Sequence, residues 1–283
     1  MHNISFRRRF VNFLGIGAIV GATLVVLMPL FLIMGTVIYR GIGSITWAFF
    51  TRIPQPVGET GGGMANAIVG TAMIMGVAAL IGIPLGVGSG IYLAEYGRNA
   101  SGNIVRFTAD VLNGIPSIVI GITVYALVVL IQHHFSLLAG GIALGIMMIP
   151  TVCRTTEEVL LMVPQSVREA ALGLGIPQWR TTLSVVVPSA ASGIITSIML
   201  ACARVAGETA PLLFTAFGNQ FWNLKLNQPT AALPLQIFAY AISPYEEWHR
   251  MAWAGALVLI LSIMATVILV RFATSRGMLK GAH

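Results

Sequence analysis

Arg204 and Glu208 lie in the apolar run 189–216, where charge is expensive. An arginine at the middle of a bilayer costs about 2.5–3.5 kcal/mol on insertion scales, so both residues need a reason to be there. Their i, i+4 spacing puts them on one helical face within pairing reach. One reason is structural, an ion pair that fixes helix packing. The other is chemical, an anion site in a path through the membrane. The planar donor fork of Arg204 suits the oxygens of an oxyanion. An ionised Glu208 can only accept hydrogen bonds. It could take one from an oxyanion that still carries a proton at neutral pH, as sulfate does not, and it also limits how tightly Arg204 holds the anion.

The second feature is a polar island at Ser166–Pro188, SVREAALGLGIPQWRTTLSVVVP. Ser166 and Glu169 have the spacing of a capping box. Val167, Ala170, Ala171 and Leu174 then form the apolar side of a short helix, and Gly175 suits a left-handed end to it. Pro177 suits the first position of a second short helix running to about Val187. Two short helices meeting at a glycine bend make a compact knob. It reads equally as a docking element or as an amphipathic loop lying on the membrane surface.

Other candidates have plainer readings. Ser117 follows Pro116 and could line a path near a helix break, or satisfy carbonyls that the proline frees. His133 and His134 read as a solvated helix end, with no carboxylate or thiol at ligand spacing. Asp110 reads as a capping carboxylate at a helix start, and Glu157 and Glu158 as a solvated face. Cys153 and Cys202 show neither zinc nor disulfide spacing. There is no GxxxxGK[ST] phosphate loop and no nucleophile–base constellation, which argues against a nucleotide-hydrolysing or other enzymatic role for this chain.

The elements that must position these residues are membrane helices. Of the 283 residues, 57% are hydrophobic and only 9% charged, and the mean hydropathy is +0.88. A soluble domain carries about 25% charged residues. Apolar segments fall at about 12–39, 64–93, 108–131, 137–153, 189–216 and 251–272, which predicts six spans in an all-α integral membrane domain. With both termini in the cytoplasm, eleven arginines and lysines fall inside and four outside (Arg40, Arg52, Lys225 and Arg250). The net charge of +7 is thereby read as orientation rather than nucleic-acid binding. The run after Arg7-Arg8-Arg9 is too long for a signal-peptide core and reads as a retained first span. Gly82, Gly86 and Gly90 share one helical face, for close helix packing or a pore lining.

The island resembles the EAA loop of ABC importer permeases. That pattern is Glu-Ala-Ala, three residues, Gly, nine residues, then Ile-x-Leu-Pro; Glu169, Ala170, Ala171, Gly175 and Pro188 fall at those intervals, with Val185 and Val187 for isoleucine and leucine. The stretch 203–214, ARVAGETAPLLF, is similar to the fifth span of the A-type permeases of phosphate-specific importers. So are the dipeptides Gln228-Pro229, Leu233-Pro234, Ser243-Pro244 and Glu247-Trp248, the segment Gly114–Val119, and Arg154–Glu158. The similarity runs from about residue 60 to the C-terminus.

The resemblance implies a type I ABC importer permease fold. Residues 1–63 would hold the N-terminal segment, first span and outside loop, and 64–275 the permease domain with its coupling loop at 163–188. It implies a multi-pass protein of the bacterial inner membrane that forms half of a phosphate pathway. Arg204, Glu208, Ser117 and Thr209 would line the path, and Ser166, Glu169, Ala170, Ala171, Gly175 and Pro177 would meet an ATPase. The partners implied are a second homologous permease, two ATP-binding subunits that carry ATP and Mg²⁺, a periplasmic or lipid-anchored phosphate-binding protein and the lipid bilayer, with no nucleic acid. This chain would bind no cofactor of its own. The alternatives are a permease for another oxyanion, molybdate or sulfate, and a non-transporting scaffold or receptor.

Overall fold

The computed structural model describes residues 6–59 and 61–280, with side chains placed from Phe10 to Phe272 and at Arg8. The cytoplasmic placing of the two chain ends (residues 1–5 and 281–283) lies outside the described residues. Most of the described residues are helical. α1 (Phe6–Gly41) and the short α2 (Trp47–Thr51) precede α3 (Ala65–Glu95). α4 (Ala100–Gly114) leads to α5 (Ser117–Val124), which passes through a π-helical turn at Tyr125–Val129 into α6 (Leu130–Gln132). α7 (Leu137–Leu161), α8 (Gln165–Gly173) and α9 (Gln178–Thr181) follow. A second π-helical turn, Thr182–Val186, joins α9 to α10 (Val187–Ala206) without a break. α11 (Ala210–Thr215), α12 (Leu233–Ala241) and α13 (Glu246–Lys280) complete the chain.

Five of these stretches are long and apolar enough to cross a membrane, and the bent α4–α5–α6 pair brings the number to six. The expected count therefore holds, with two corrections. The third span, expected as one helix over 108–131, is broken: its halves meet at 102°. Ile115 is extended because it precedes Pro116, whose ring disfavours helical backbone before it. The fifth span is shifted toward the N-terminus. It runs Gln178–Ala206 and ends at Gly207, so Arg204 lies in its last turn rather than in the middle of the span.

The centre of the molecule is α3 against α7. The glycines of α3 face α7: a Cβ on Gly82, Gly86 or Gly90 would come within 2.6–2.7 Å of the Cβ of Met148, Val152 or Thr156. Gly141 of α7 receives Val77 in return. Of the two readings for this stripe, close packing is the one found, and the absent side chains let the backbones approach. Met148, Val152, Ile74 and Ala78 are fully buried in the resulting core. The apolar window of α1, by contrast, is 0% buried within this chain. Its outer end is seated on α13, where Gly41 meets the Trp253 carbonyl and Arg40 lies over the Trp253 ring at 5.4 Å.

Candidate functional site

The third-span break and α10 bring three polar side chains together. Thr151, on α7, donates its hydroxyl to Asn113 Oδ1 at 3.2 Å, at the end of α4. Arg204 Nη1, in the last turn of α10, donates to the same hydroxyl oxygen at 3.4 Å. Arg204 is exposed, so its remaining donors face open space. Neither Asn113 nor Thr151 was singled out from sequence. Their signal was faint: small polar residues beside Pro116 and Pro150, with no charge to mark them.

The expected Arg204–Glu208 pair is not formed. Among the described residues Glu208 takes part in no ion pair, because the helix ends at Ala206 and the Gly207–Thr209 turn destroys the i, i+4 register. Glu208 is half-buried in that turn. Thr209, also half-buried, precedes α11, and Ser117 is the first residue of α5. α5 and α11 pack closely, with a Cβ on Gly121 falling 2.6 Å from Pro211 Cα. Two helix breaks thus sit at the N-terminal ends of two packed helices, one carrying Ser117 and the other Glu208 and Thr209.

Below this lies a ladder of pairs between α4 and α7. Asp110 meets Arg154 Nε at 3.0 Å, and Arg106 Nε meets Glu157 Oε1 at 2.6 Å. Arg154 Nη1 reaches Glu157 Oε2 at 2.6 Å. This corrects two expectations. Glu157 is no solvated face: it is 3% exposed and gripped by two arginines, while Glu158 is exposed as expected. Asp110 caps no helix start, since α4 begins eleven residues earlier at an Asn99 cap that accepts from the Gly102 amide at 2.8 Å. The rungs follow from spacing: 106, 110 and 113 share a face of α4, and 157, 154 and 151 share a face of α7.

The island at 166–188 forms a knob, with details that differ from expectation. Ser166 and Glu169 make no capping box, because α8 starts one residue earlier behind Pro164, which has no side-chain acceptor. Val167 and Ala171 turn inward, but Ala170 is exposed and Leu174 is 81% exposed, so the expected apolar side is split. Gly175 adopts the left-handed backbone foreseen for it, with φ at +78°, and its amide bonds to the Leu172 carbonyl at 2.9 Å. Pro177 sits just before α9 rather than at its first position. The second helix does not stop near Val187 but runs on into α10. Leu172, Leu174 and Trp179 are all exposed, with Glu169 and Arg180, on one loop.

A helical membrane domain with a polar helix break and an exposed knob between two spans is a recognisable arrangement. A model of binding-protein-dependent transport system inner membrane components matches residues 82–278. The chain belongs to this family. The phosphate transport system permease protein PstA of Yersinia pestis is 48% identical over 84% of this chain and 81% of its own length. PstA of Haemophilus influenzae is 45% identical over 84% and 85%. PstA 1 of Mycobacterium tuberculosis is 36% identical over 96% of this chain and 92% of its own. Among solved structures, the inward-facing MetNI methionine ABC transporter aligns with a TM-score of 0.58 at 18% identity, over 75% of this chain and 94% of that one. That likeness confirms the fold, an ABC importer permease. As a family member this inner-membrane component serves transport, and the His133–His134 doublet falls at a helix end, where His133 has φ at +60°.

Proposed function

We propose that this permease carries inorganic phosphate inward across the inner membrane, as half of an ATP-driven importer. The observation that carries the reading is the convergence of Asn113, Thr151 and Arg204 at the broken third span, in a chain 48% identical to a phosphate permease. Arg204 offers free donors to the phosphate oxygens. Thr151 holds one edge of its guanidinium and leaves the other free for the anion. Glu208, set apart from Arg204 by the helix break, accepts a hydrogen bond from a protonated phosphate rather than neutralising the arginine. Ser117 and Thr209, at the starts of α5 and α11, add short hydroxyls beside the path. The pathway closes against a second homologous permease, and a phosphate-binding protein outside delivers the substrate.

The chain binds no nucleotide in this reading. Two ATP-binding subunits hold ATP and Mg²⁺, and one seats the knob formed by α8 and α9. Glu169, Ala170 and the apolar rim of Leu172, Leu174 and Trp179 meet that subunit, while Ser166, Ala171, Gly175 and Pro177 hold the bend. Both chain termini lie on the ATPase side, in keeping with the arginine distribution.

Radiolabelled phosphate uptake in cells deleted for this gene tests the proposal. Wild-type chain should restore uptake that excess sulfate does not compete, and Arg204→Gln should not restore it although the complex assembles. Equal rescue by both chains would remove Arg204 from the path; an uptake defect absent from the deletion would reject phosphate as the substrate.

A further inference from the structure

One guanidinium joins three elements at the base of the molecule. Arg168, in α8, donates from Nε and Nη2 to Glu95 Oε1 at 3.1 and 2.8 Å, and Glu95 is the last residue of α3. Its Nη2 also donates to the Leu160 carbonyl at 2.8 Å, and its Nη1 to the Val163 carbonyl at 2.6 Å. Both carbonyls lie where α7 ends, and that of Leu160 also accepts from the Val163 amide at 3.2 Å. Arg168 and Glu95 are 12% and 6% exposed, so the contacts are shielded from water and salt. From the far side of the bend, Gln178 donates to the Glu95 carbonyl at 3.4 Å.

The knob therefore has two arms. Through Arg168 it grips the ends of α3 and α7, which the glycine stripe packs into one body. Through α9 and the π-helical turn it continues directly into α10. The first arm leads up α7 to Thr151 and the second up α10 to Arg204. Thr151 stands nine residues from Leu160, roughly 13 Å along a helix rising about 1.5 Å per residue. The two arms meet again at the 3.4 Å contact between Thr151 and Arg204. Any tilt of the knob that moves one arm against the other alters that contact.

We infer that Arg168 is a positioning residue that transmits displacement of the docking knob to α7, and so sets the Thr151–Arg204 contact from the cytoplasmic end. This rests on the proposed docking of an ATPase at α8. The complete complex, reconstituted in proteoliposomes, gives the test as ATP hydrolysed per phosphate taken up. Coupling free energies of about 1–3 kcal/mol correspond to roughly 5–150-fold effects, so Glu95→Gln should cut uptake about tenfold while hydrolysis stays within about twofold of wild type. Arg168→Lys, a point charge unable to span three acceptors, should shift the ratio in the same direction. A wild-type ratio in assembled Glu95→Gln and Arg168→Lys complexes overturns the inference.

A second readout does not depend on substrate. Spin labels at Gly173 on α8 and Glu158 on α7, both exposed, should report one narrow distance in wild type, unchanged by nucleotide, and a broadened one in Glu95→Gln. Equal widths in the two proteins reject the link even if the variant complex fails to assemble. Absence of phosphate uptake by wild type would fault the substrate assignment alone and leave this measurement to decide.

Discussion

Glu157 holds Arg106 and Arg154 at once, with 2.6 Å to each, on a carboxylate that is 3% exposed. Arg106 uses its other nitrogens on the Leu93 and Gly97 carbonyls at 3.0 and 2.8 Å. The end of α3, the middle of α4 and the last turns of α7 are thus tied through one acid. Removing the acid leaves Arg106 without a carboxylate partner, whereas Arg154 keeps Asp110 at 3.0 Å. A hydrogen bond to a charged group contributes about 1.5–3 kcal/mol, so Glu157→Ala should lower the thermal midpoint of the purified protein by several degrees. Glu158→Ala, on the exposed face, is the matched control. Equal midpoints for the two variants would show that the ladder contributes little.

The glycine stripe makes a prediction with a built-in contrast. At Gly86 a methyl would fall 2.7 Å from Val152 Cβ, whereas nothing lies within 4 Å of the Cβ position at Gly88. Overpacking a tight core costs about 1–3 kcal/mol, so Gly86→Ala should reduce the folded yield and the midpoint. Gly88→Ala should be neutral or stabilise by roughly 0.5–1 kcal/mol, the usual gain for replacing a helical glycine. Similar behaviour of the two variants would mean that α3 and α7 are not held at this separation in the membrane.

Thr151→Val keeps the shape of the side chain but removes the hydroxyl that Arg204 and Asn113 share. A hydrogen bond to a charged group contributes about 1.5–3 kcal/mol, so phosphate uptake by this variant should fall at least about tenfold at limiting substrate. Surface expression and copurification of partners should be unchanged. Wild-type uptake by Thr151→Val would separate Arg204 from Thr151 in function.

On the knob, Leu174 is 81% exposed and Trp179 62% exposed. No described residue of this chain covers them. Anchors of this kind often cost 2 kcal/mol or more when lost from an interface, roughly a thirtyfold loss of affinity. Leu174→Asp should therefore weaken copurification of the ATP-binding subunit by about that factor. Its thermal midpoint should stay near that of wild type, since an exposed side chain adds little to folding. Undiminished copurification would place the docking surface elsewhere.

Much of this was legible in the chain itself. Helix number followed from runs of apolar residues, because a bilayer demands about twenty such residues per crossing. The knob followed from Gly175 and Pro177, whose backbone limits are local properties. Glycine spacing on α3 marked a contact face, and the EAA pattern marked the family. In each case the information lies within one turn or one span.

What escaped was whatever depends on two elements meeting. Arg204 and Glu208 stand four residues apart, but spacing cannot tell where a helix stops, and the Gly207–Thr209 turn takes Glu208 off the helix that carries Arg204. Glu157 looked like a solvated carboxylate because its partner Arg106 is 51 residues away. Ser166 looked like a cap because the next helix was taken to start with it rather than behind Pro164. Sequence alone determined the membrane class, the span count, the glycine bend and the candidate residues, since hydropathy and backbone preference are local. The ladder on α7, the Thr151–Arg204 contact and the hold of Arg168 on Glu95 were decided only by tertiary structure, because a buried charge takes as its counter-charge whichever group the packing brings within reach.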